Sequence, residues 1–445
     1  MKCFMVTSFV LSMLLNIGSL CADKEALSGL TVDVRPQQYE KTALLIGYVG
    51  NPESRIAACA DALAHDLSFS QQFSVSIKSL EAIPSKKQMQ AITNEYVLAL
   101  FLTDNKQNKS IEWRLYDIYQ QVMIQGKRYK KKTAVVQLWA HGISDLLWPI
   151  LTGQDGIFSS RIAYCKDVDA SRKRPIRHIY VADYDGCNAQ LLVATPTVKF
   201  APRWNKDKDV PLLFYSECKR ANTGLSFVTM AGRRHVVTDA DGINMLLSFA
   251  ESGDKAVYCA SRGRASCQLY YCADGVYKQI TQNHGNNIAP TFDADGNTIY
   301  FCSDYKKGFP AIYSYDLASG IINDLITDGY SVSPSYCAKV NKLVYAEMVE
   351  RTLQLCIYDI KTKTSEQVTF DVGDKEECSW SPCGNYLLYS VRKGMQNRVA
   401  MFNLITKSQQ WITPESENCS YPAWSSIYNQ YPLVVASNKS RTRSA

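Results

Sequence analysis

Side chains able to do chemistry are few in this sequence, and their spacing argues against most reactions. Five histidines occur, His65, His141, His178, His235 and His284, and no two stand at a metal-ligand spacing. No GxSxG is present, so the nucleophile elbow of propeller-bearing peptidases is missing. The "DADGN" run at Asp293–Asn297 resembles part of a calcium loop but has no glutamate at the distal ligand position, and it reads better as a turn. A second "DADG", Asp239–Gly242, leaves room for a cation at a channel mouth. Fifteen cysteines form no CxxC pair. The basic run Lys127–Lys132, "KRYKKK", contains only Tyr129 as an aromatic residue. It reads as a solvated loop between two elements and does not suit a nucleic-acid groove. The expectation is therefore no catalytic residue, no protein-held metal, no cofactor and no nucleic-acid partner.

What positions the remaining polar residues is a repeat. An aromatic residue followed by a small one ends an apolar run at Tyr164, Tyr215, Tyr258, Phe301, Tyr345 and Tyr389. A second series, Trp204, Phe249, Phe292, Tyr336, Trp380 and Trp424, precedes tight turns, and a third consists of Thr195, Thr238, Thr281, Thr327, Thr369 and Thr413. All three recur at about 44 residues, the length of a four-stranded propeller blade. The strands are named A (Trp204 type), B (Tyr215 type), C ("AIYSYD" type) and D (Thr type). The fold class is mainly β, a six-bladed propeller over 157–430. Its phase predicts that the last strand A, around Trp424, pairs with the first strand B at Arg161 and closes the ring. Cys165, Cys259 and Cys302 share the small-residue slot of strand B with Ser216, Ala346 and Ser390, which favours buried thiols over disulfides. A run at Tyr431–Ser437, in a tail over 431–445, looks like a further strand B with no C or D behind it.

Residues 1–22 carry one positive charge, an apolar run and small residues near Cys21-Ala22, the pattern of a secretory signal peptide. Leu20 argues against lipid attachment at Cys21. Residues 23–156 change pattern. "TALLIGYV", "YVLALFL" and "SIEWRLYDI" read as strands. "PESRIAACADALAHDLSFS" places Ile56, Cys59, Ala60, Leu63 and Leu67 on one helical face, and "AHGISDLLWPILTG" reads as a helix ending at Gly153. This is an N-terminal α/β domain.

Several segments now point to a family. "SSRIAYC…HIYVADYDGCNAQ" (159–190) strongly resembles the first blade of the TolB family, periplasmic components of the Tol-Pal system. "YPAWSS" (421–426) is similar to that family's closing "PAWSP", and "ADALAHDLSFSQQF" and "LTGQDGIFSSRIAY" resemble its first domain and domain junction. Three of the usual "WSPDG" turns are altered, to "WNKDK", "FAESG" and "YCAKV". The aromatic anchor survives in each, so the fold inference holds while transfer of binding residues weakens.

The resemblance implies a six-bladed propeller behind an α/β domain, a periplasmic location and no enzymatic activity. It also implies a role with other Tol-Pal components in outer-membrane integrity and constriction at division. Its partners would be the lipoprotein Pal on the propeller and TolA on the mature N-terminus. An exported propeller hydrolase and a carbohydrate-binding protein remain the alternatives. For Pal the expected contacts lie in D–A connections: Asn244, Tyr330, Ser331 and the pair Asn286 and Asn287, which matches an Asn-Asn pair of the family. For TolA they are Leu30, Val32 and Val34 in the alternating run "LTVDV". That run could add to a partner's sheet edge or simply be the edge strand of the first domain.

Overall fold

The computed structural model describes residues 41–105, 109–130, 135–169, 176–263 and 265–428. The expected signal peptide, Leu30, Val32, Val34 and the Tyr431–Ser437 run lie outside these residues. The described residues belong to one compact unit.

Its first layer is a five-stranded sheet with helices on it. In chain order come β1 (Thr42–Val49), α1 (Arg55–Phe69), β2 (Phe73–Leu80), α2 (Lys86–Gln90) and β3 (Leu98–Asn105), then β4 (Ser110–Asp117), β5 (Val122–Lys130) and α3 (Val136–Thr152). The sheet order is β2-β1-β3-β4-β5. β1 runs parallel to both neighbours, and its near-continuous apolar run fits a strand covered on both faces. One face packs Leu44, Ile46, Leu100 and Leu102 against α1 and α3, with Ile56, Cys59, Leu63, Leu67, Trp139 and Ile143 in the same core. The other face packs Leu45, Ala99 and Phe101 on Met89 of α2. Ser54 caps α1 by accepting the Ala57 N–H, and α3 ends at Gly153 in the left-handed region at φ 73°.

The loop expected at Lys127–Lys132 is a strand over its first four residues. Lys127, Arg128, Tyr129 and Lys130 pair with Trp113, Glu112, Ile111 and Ser110. β5 is the sheet edge, where a basic strand is tolerated and blocks further pairing, so the charge that suggested a loop marks an edge instead. Arg128 also reaches Glu112 at 2.8 Å.

The propeller follows. Its first blade holds β6 (Arg161–Asp169), β7 (Ile176–Asp183) and β8 (Gln190–Val193). The second holds β9 (Val198–Trp204), β10 (Leu212–Cys218), β11 (Thr223–Thr229) and β12 (Arg234–Thr238), and the third β13 (Ile243–Phe249), β14 (Lys255–Ser261), β15 (Gln268–Ala273) and β16 (Val276–Gln279). Blade four is β17 (Asn287–Phe292), β18 (Thr298–Ser303), β19 (Ala311–Asp316) and β20 (Ile322–Ile326). Blade five is β21 (Ser331–Cys337), β22 (Lys342–Val349), β23 (Thr352–Asp359) and β24 (Thr364–Gln367). Blade six is β25 (Asp374–Trp380), β26 (Tyr386–Lys393), β27 (Gln396–Asn403) and β28 (Ser408–Trp411), and β29 (Cys419–Trp424) then returns to blade one in the order β29-β6-β7-β8. The predicted closure is therefore present, with Trp424 opposite Ile162 and Ser420 opposite Cys165.

Each marker series has a physical role. The indole of Trp204 donates to Ala423 O at 3.1 Å and that of Trp380 to Ser335 O at 2.9 Å, tying each strand A to the one before it. Thr281, Thr369 and Thr413 accept the N–H of Leu269, Leu355 and Val399 at 2.8, 2.8 and 3.0 Å. Each hydroxyl extends the C–D ladder past its last backbone bond. Ser216 and Ser390 in strand B accept the N–H of Leu246 and Tyr421 in the next blade's strand A, at 3.2 and 3.0 Å. Cys165, Cys259 and Cys302 occupy the same slot as buried free thiols.

Candidate functional site

Strand direction decides which end of the propeller is open. Strands A run toward the A–B turns, and there the aromatic series lines one cavity of about 510 Å³ together with Asp145 and Pro149 of α3. Lys339 pairs with Asp155 at 2.6 Å, and Asn385 donates to Gln154 at 2.9 Å, at that same end. The α/β layer thus covers the A–B mouth. The D–A and B–C connections lie at the opposite end, a mouth left uncovered among the described residues.

Two repeated backbone features build that mouth. Counting back from the terminal aromatic, the fourth residue of each strand A has a left-handed φ between 49° and 59°: Ala201, Leu246, Ala289, Ser333, Glu377 and Tyr421. The ladder to strand B shifts register at every one of them, so each strand A carries a β-bulge. The bulge turns a peptide N–H toward the neighbouring blade, which is where the Ser216 and Ser390 hydroxyls accept it. Two residues earlier, Lys199, Asn244, Asn287, Ser331, Lys375 and Cys419 are fully buried. Four of them staple the preceding D–A connection. Lys199 Nζ donates to the carbonyls of Thr195 and Thr197, and Asn244 Nδ2 to Ala240 and Thr223. Asn287 Nδ2 donates to Gly285 and Cys267, and Lys375 Nζ to Asp371 and Gly373. Burial pulls Lys199 down to about 8. Deeper in the channel, burial pushes Glu377 up to about 6 against its bonds from Ser390 and the Tyr421 N–H.

Outside these staples the mouth is apolar and carries charges of both signs. Met395, Phe370 and Val372 are 95%, 77% and 73% exposed, and Met348, Tyr330 and Phe309 are partly so. All six sit in or beside B–C or D–A connections of blades four to six. The described B–C hairpins also carry Lys219, Arg220, Arg262, Lys306, Lys307, Arg351, Arg392 and Lys393. Some are matched, Lys219 by Asp239 at 2.7 Å and Arg392 by Asp374 at 2.9 Å. Asp239, the first carboxylate of the "DADG" considered for a cation, therefore has a lysine partner that holds it below the usual carboxylate range.

The residues expected from sequence divide sharply. Asn286 and Tyr330 are exposed at the mouth. Asn286 Nδ2 reaches Asp304 at 3.2 Å, while its Oδ1 accepts the Cys267 N–H. Asn244, Asn287 and Ser331 are closed off from solvent, and the two asparagines hold the rim from behind. Sequence reasoning passed over Phe370, Val372 and Met395, although "TFDVGD" and "RKGMQN" place apolar residues in connections that ought to be polar.

A ring of six four-stranded blades closed by its last strand and capped at one mouth by an α/β layer defines a propeller whose other mouth is free among the described residues. A family model described as TolB beta propeller domain matches residues 148–428. The chain belongs to the TolB β-propeller family. It is 25% identical over 328 residues to the Tol-Pal system protein TolB of Francisella tularensis subsp. holarctica, covering 70% of this chain and 73% of the relative. It is 28% identical over 176 residues to that of Gluconobacter oxydans, covering 39% of this chain and 38% of the relative. It is 30% identical over 139 residues to that of Desulfosudis oleivorans, covering 31% and 30%. These last two alignments thus span well under half of either relative. The crystal structure of TolB from Acinetobacter baumannii superposes with a TM-score of 0.75 at 22% identity, covering 86% of this chain and 96% of that one, which supports the same fold. Among the described residues no helix is long and apolar enough to cross a membrane.

Proposed function

We propose that this protein is a non-enzymatic periplasmic scaffold of the Tol-Pal system. It binds the lipoprotein Pal through the free mouth of the propeller and TolA through the segment before the first domain strand. In that role it supports outer-membrane integrity and envelope constriction during division. The observation that carries the reading is the asymmetry of the propeller. One mouth is covered by the chain's own α/β layer, and the other presents Phe370, Val372 and Met395 to solvent within a charged rim. Exposed apolar residues clustered at one end and rimmed by charge mark an interaction surface. Within this reading Asn286 and Tyr330 are contact residues, and Asn244, Asn287 and Ser331 shape the rim that carries them.

The experiment is a pull-down from envelope extracts with the folded protein as bait. A Pal-like lipoprotein is the expected catch. Absence of such a partner, together with turnover of peptide or glycan libraries, would replace the scaffold by an exported hydrolase. Retention on glycan alone would replace it by a carbohydrate-binding propeller.

A further inference from the structure

All thirteen cysteines of the described residues are free thiols, and Cys187 alone among them is exposed. It stands in the C–D turn of blade one, two residues after Asp185. The Asp185 carboxylate is only 4% exposed and is held from two sides. Its Oδ1 accepts the Cys187 N–H at 2.9 Å, and its Oδ2 lies 2.6 Å from Nε2 of His65, which projects from α1. The Sγ, the imidazole nitrogen and the carboxylate oxygen all lie within 4.8 Å of one another. Among the described residues this is the one group of three or more His, Cys, Asp or Glu that converges in this way.

Both elements that bring the donors together are firmly seated. The turn is fixed by the Asp183 N–H to Cys187 O at 2.9 Å and by Asn188 Nδ2 to Asp183 at 2.6 Å. Gly186, at φ 89°, packs against the backbone of Ile412 so closely that no Cβ fits. α1 is anchored by buried Leu63 and Leu67 and by Asp66, whose carboxylate accepts the Tyr184 hydroxyl at 3.0 Å. The His65 ring, by contrast, is 55% exposed and free to adjust.

We propose that His65, Asp185 and Cys187 form an open three-ligand site for a thiophilic divalent cation of the zinc class, joining α1 to the first blade. One nitrogen, one carboxylate oxygen and one sulfur match the donors zinc takes, and the solvent-facing side leaves a fourth position for water. Zinc bonds of roughly 2.0–2.3 Å put tetrahedral ligands about 3.3–3.7 Å apart. The His65–Asp185 contact must therefore open by roughly 0.7 Å as the thiol closes in, a movement the exposed imidazole can make. The metal replaces the thiol proton, which leaves to the buffer, and takes the Nε2 lone pair while Nδ1 keeps the ring proton. No electron changes hands.

The test is a Co²⁺ titration of the reduced full chain, followed by displacement with Zn²⁺. A thiolate-to-cobalt charge-transfer band saturating at one equivalent is expected, with tetrahedral d–d bands that vanish on adding Zn²⁺. Cys187→Ser removes the charge-transfer band, and His65→Gln weakens Zn²⁺ binding at least tenfold. Both variants melt as the parent does without metal, and only the parent is raised in Tm by Zn²⁺. Absence of the band, its survival in Cys187→Ser, or unchanged Zn²⁺ affinity in His65→Gln overturns the site and leaves an ordinary ion pair beside a surface thiol.

Discussion

Asn286→Ala and Asn287→Ala are adjacent changes with unequal expected readouts. Asn287 is fully buried, and its Nδ2 lies 2.9 Å from both Gln268 Oε1 and Asn283 Oδ1, with the carbonyls of Gly285 and Cys267 at 3.2 and 3.3 Å. Two N–H groups serve four acceptors, and these keep other donors when alanine replaces the amide: the Asn287 N–H for Cys267 O, Gln268 Nε2 for Gly285 O and the Gly285 N–H for Asn283 Oδ1. Alanine loses two donated bonds and the one Asn287 Oδ1 accepts from Asn283 Nδ2, each worth about 1 kcal/mol net. Gln268 Oε1 keeps a longer bond from the Asn283 N–H at 3.4 Å, which softens the loss. The sum is about 3 kcal/mol. With an unfolding entropy of about 2 cal/mol/K per residue over roughly 400 residues, the melting temperature falls by about 3–4 °C. Asn286 is exposed and bonds Asp304, but its Oδ1 also accepts the N–H of buried Cys267, so its alanine variant loses about 1 kcal/mol and roughly 1 °C. Calorimetry and urea unfolding monitored by tryptophan fluorescence measure both. If Asn287→Ala melts within 1 °C of the parent, a loss below about 0.8 kcal/mol on that entropy, the staple account of strand A is wrong. A double substitution meant to probe Pal binding confounds contact with stability, and Asn286→Ala alone is the cleaner probe.

Replacing Phe370 and Met395 together by serine should weaken Pal binding at least tenfold with the melting temperature unchanged, since both are exposed; unchanged affinity in a direct binding assay moves the contact elsewhere. Removing Asp23 to Val34 should abolish TolA capture while Pal binding and the thermal transition persist; unfolding of the first domain instead would make that segment structural. His141 is buried between Asp66 and Asp183; burial works against its charge, but the two carboxylates prevail and push it up to about 10. Its folded value stands above the unfolded one, so its stabilisation is complete below pH of about 6.5 and fades as pH climbs toward about 10. The melting temperature should fall across that window, and His141→Gln should flatten the slope; an equally steep slope in the variant assigns the loss to other groups.

Periodicity made the propeller legible because packing acts on the same positions in every blade. Trp204, Trp380 and Trp424 recur since each strand A needs an aromatic tie, and Thr281, Thr369 and Thr413 recur since each ladder needs an extra acceptor. The phase of those markers was enough to pair the strand of Trp424 with the strand that begins at Arg161. The interaction face was legible only to the level of the connection. Asn286 and Asn287 are neighbours of one type, yet the strand pleat points one to solvent and seals the other in. Phe370 and Met395 carried a signal of their own, apolar residues in turns, which repeats tuned to strand positions overlook. Two features had no sequence signal. The Lys127–Lys130 strand was masked by its charge, and His65 meets Asp185 across 120 residues, a distance no local spacing encodes.

Ring closure also sets an order of events during synthesis. Arg161 N–H bonds to Ser425 Oγ, a residue 264 positions later, so blade one stays a strand short until nearly the whole propeller has emerged. Through that interval β6 is an open edge able to recruit any extended segment, and the closing contact has among the largest sequence separations the fold demands. A chain stopped anywhere before Cys419 never leaves that condition. Completion of the last strand thus works as a length check, separating finished molecules from fragments by whether an unpaired strand remains for a chaperone or protease to seize.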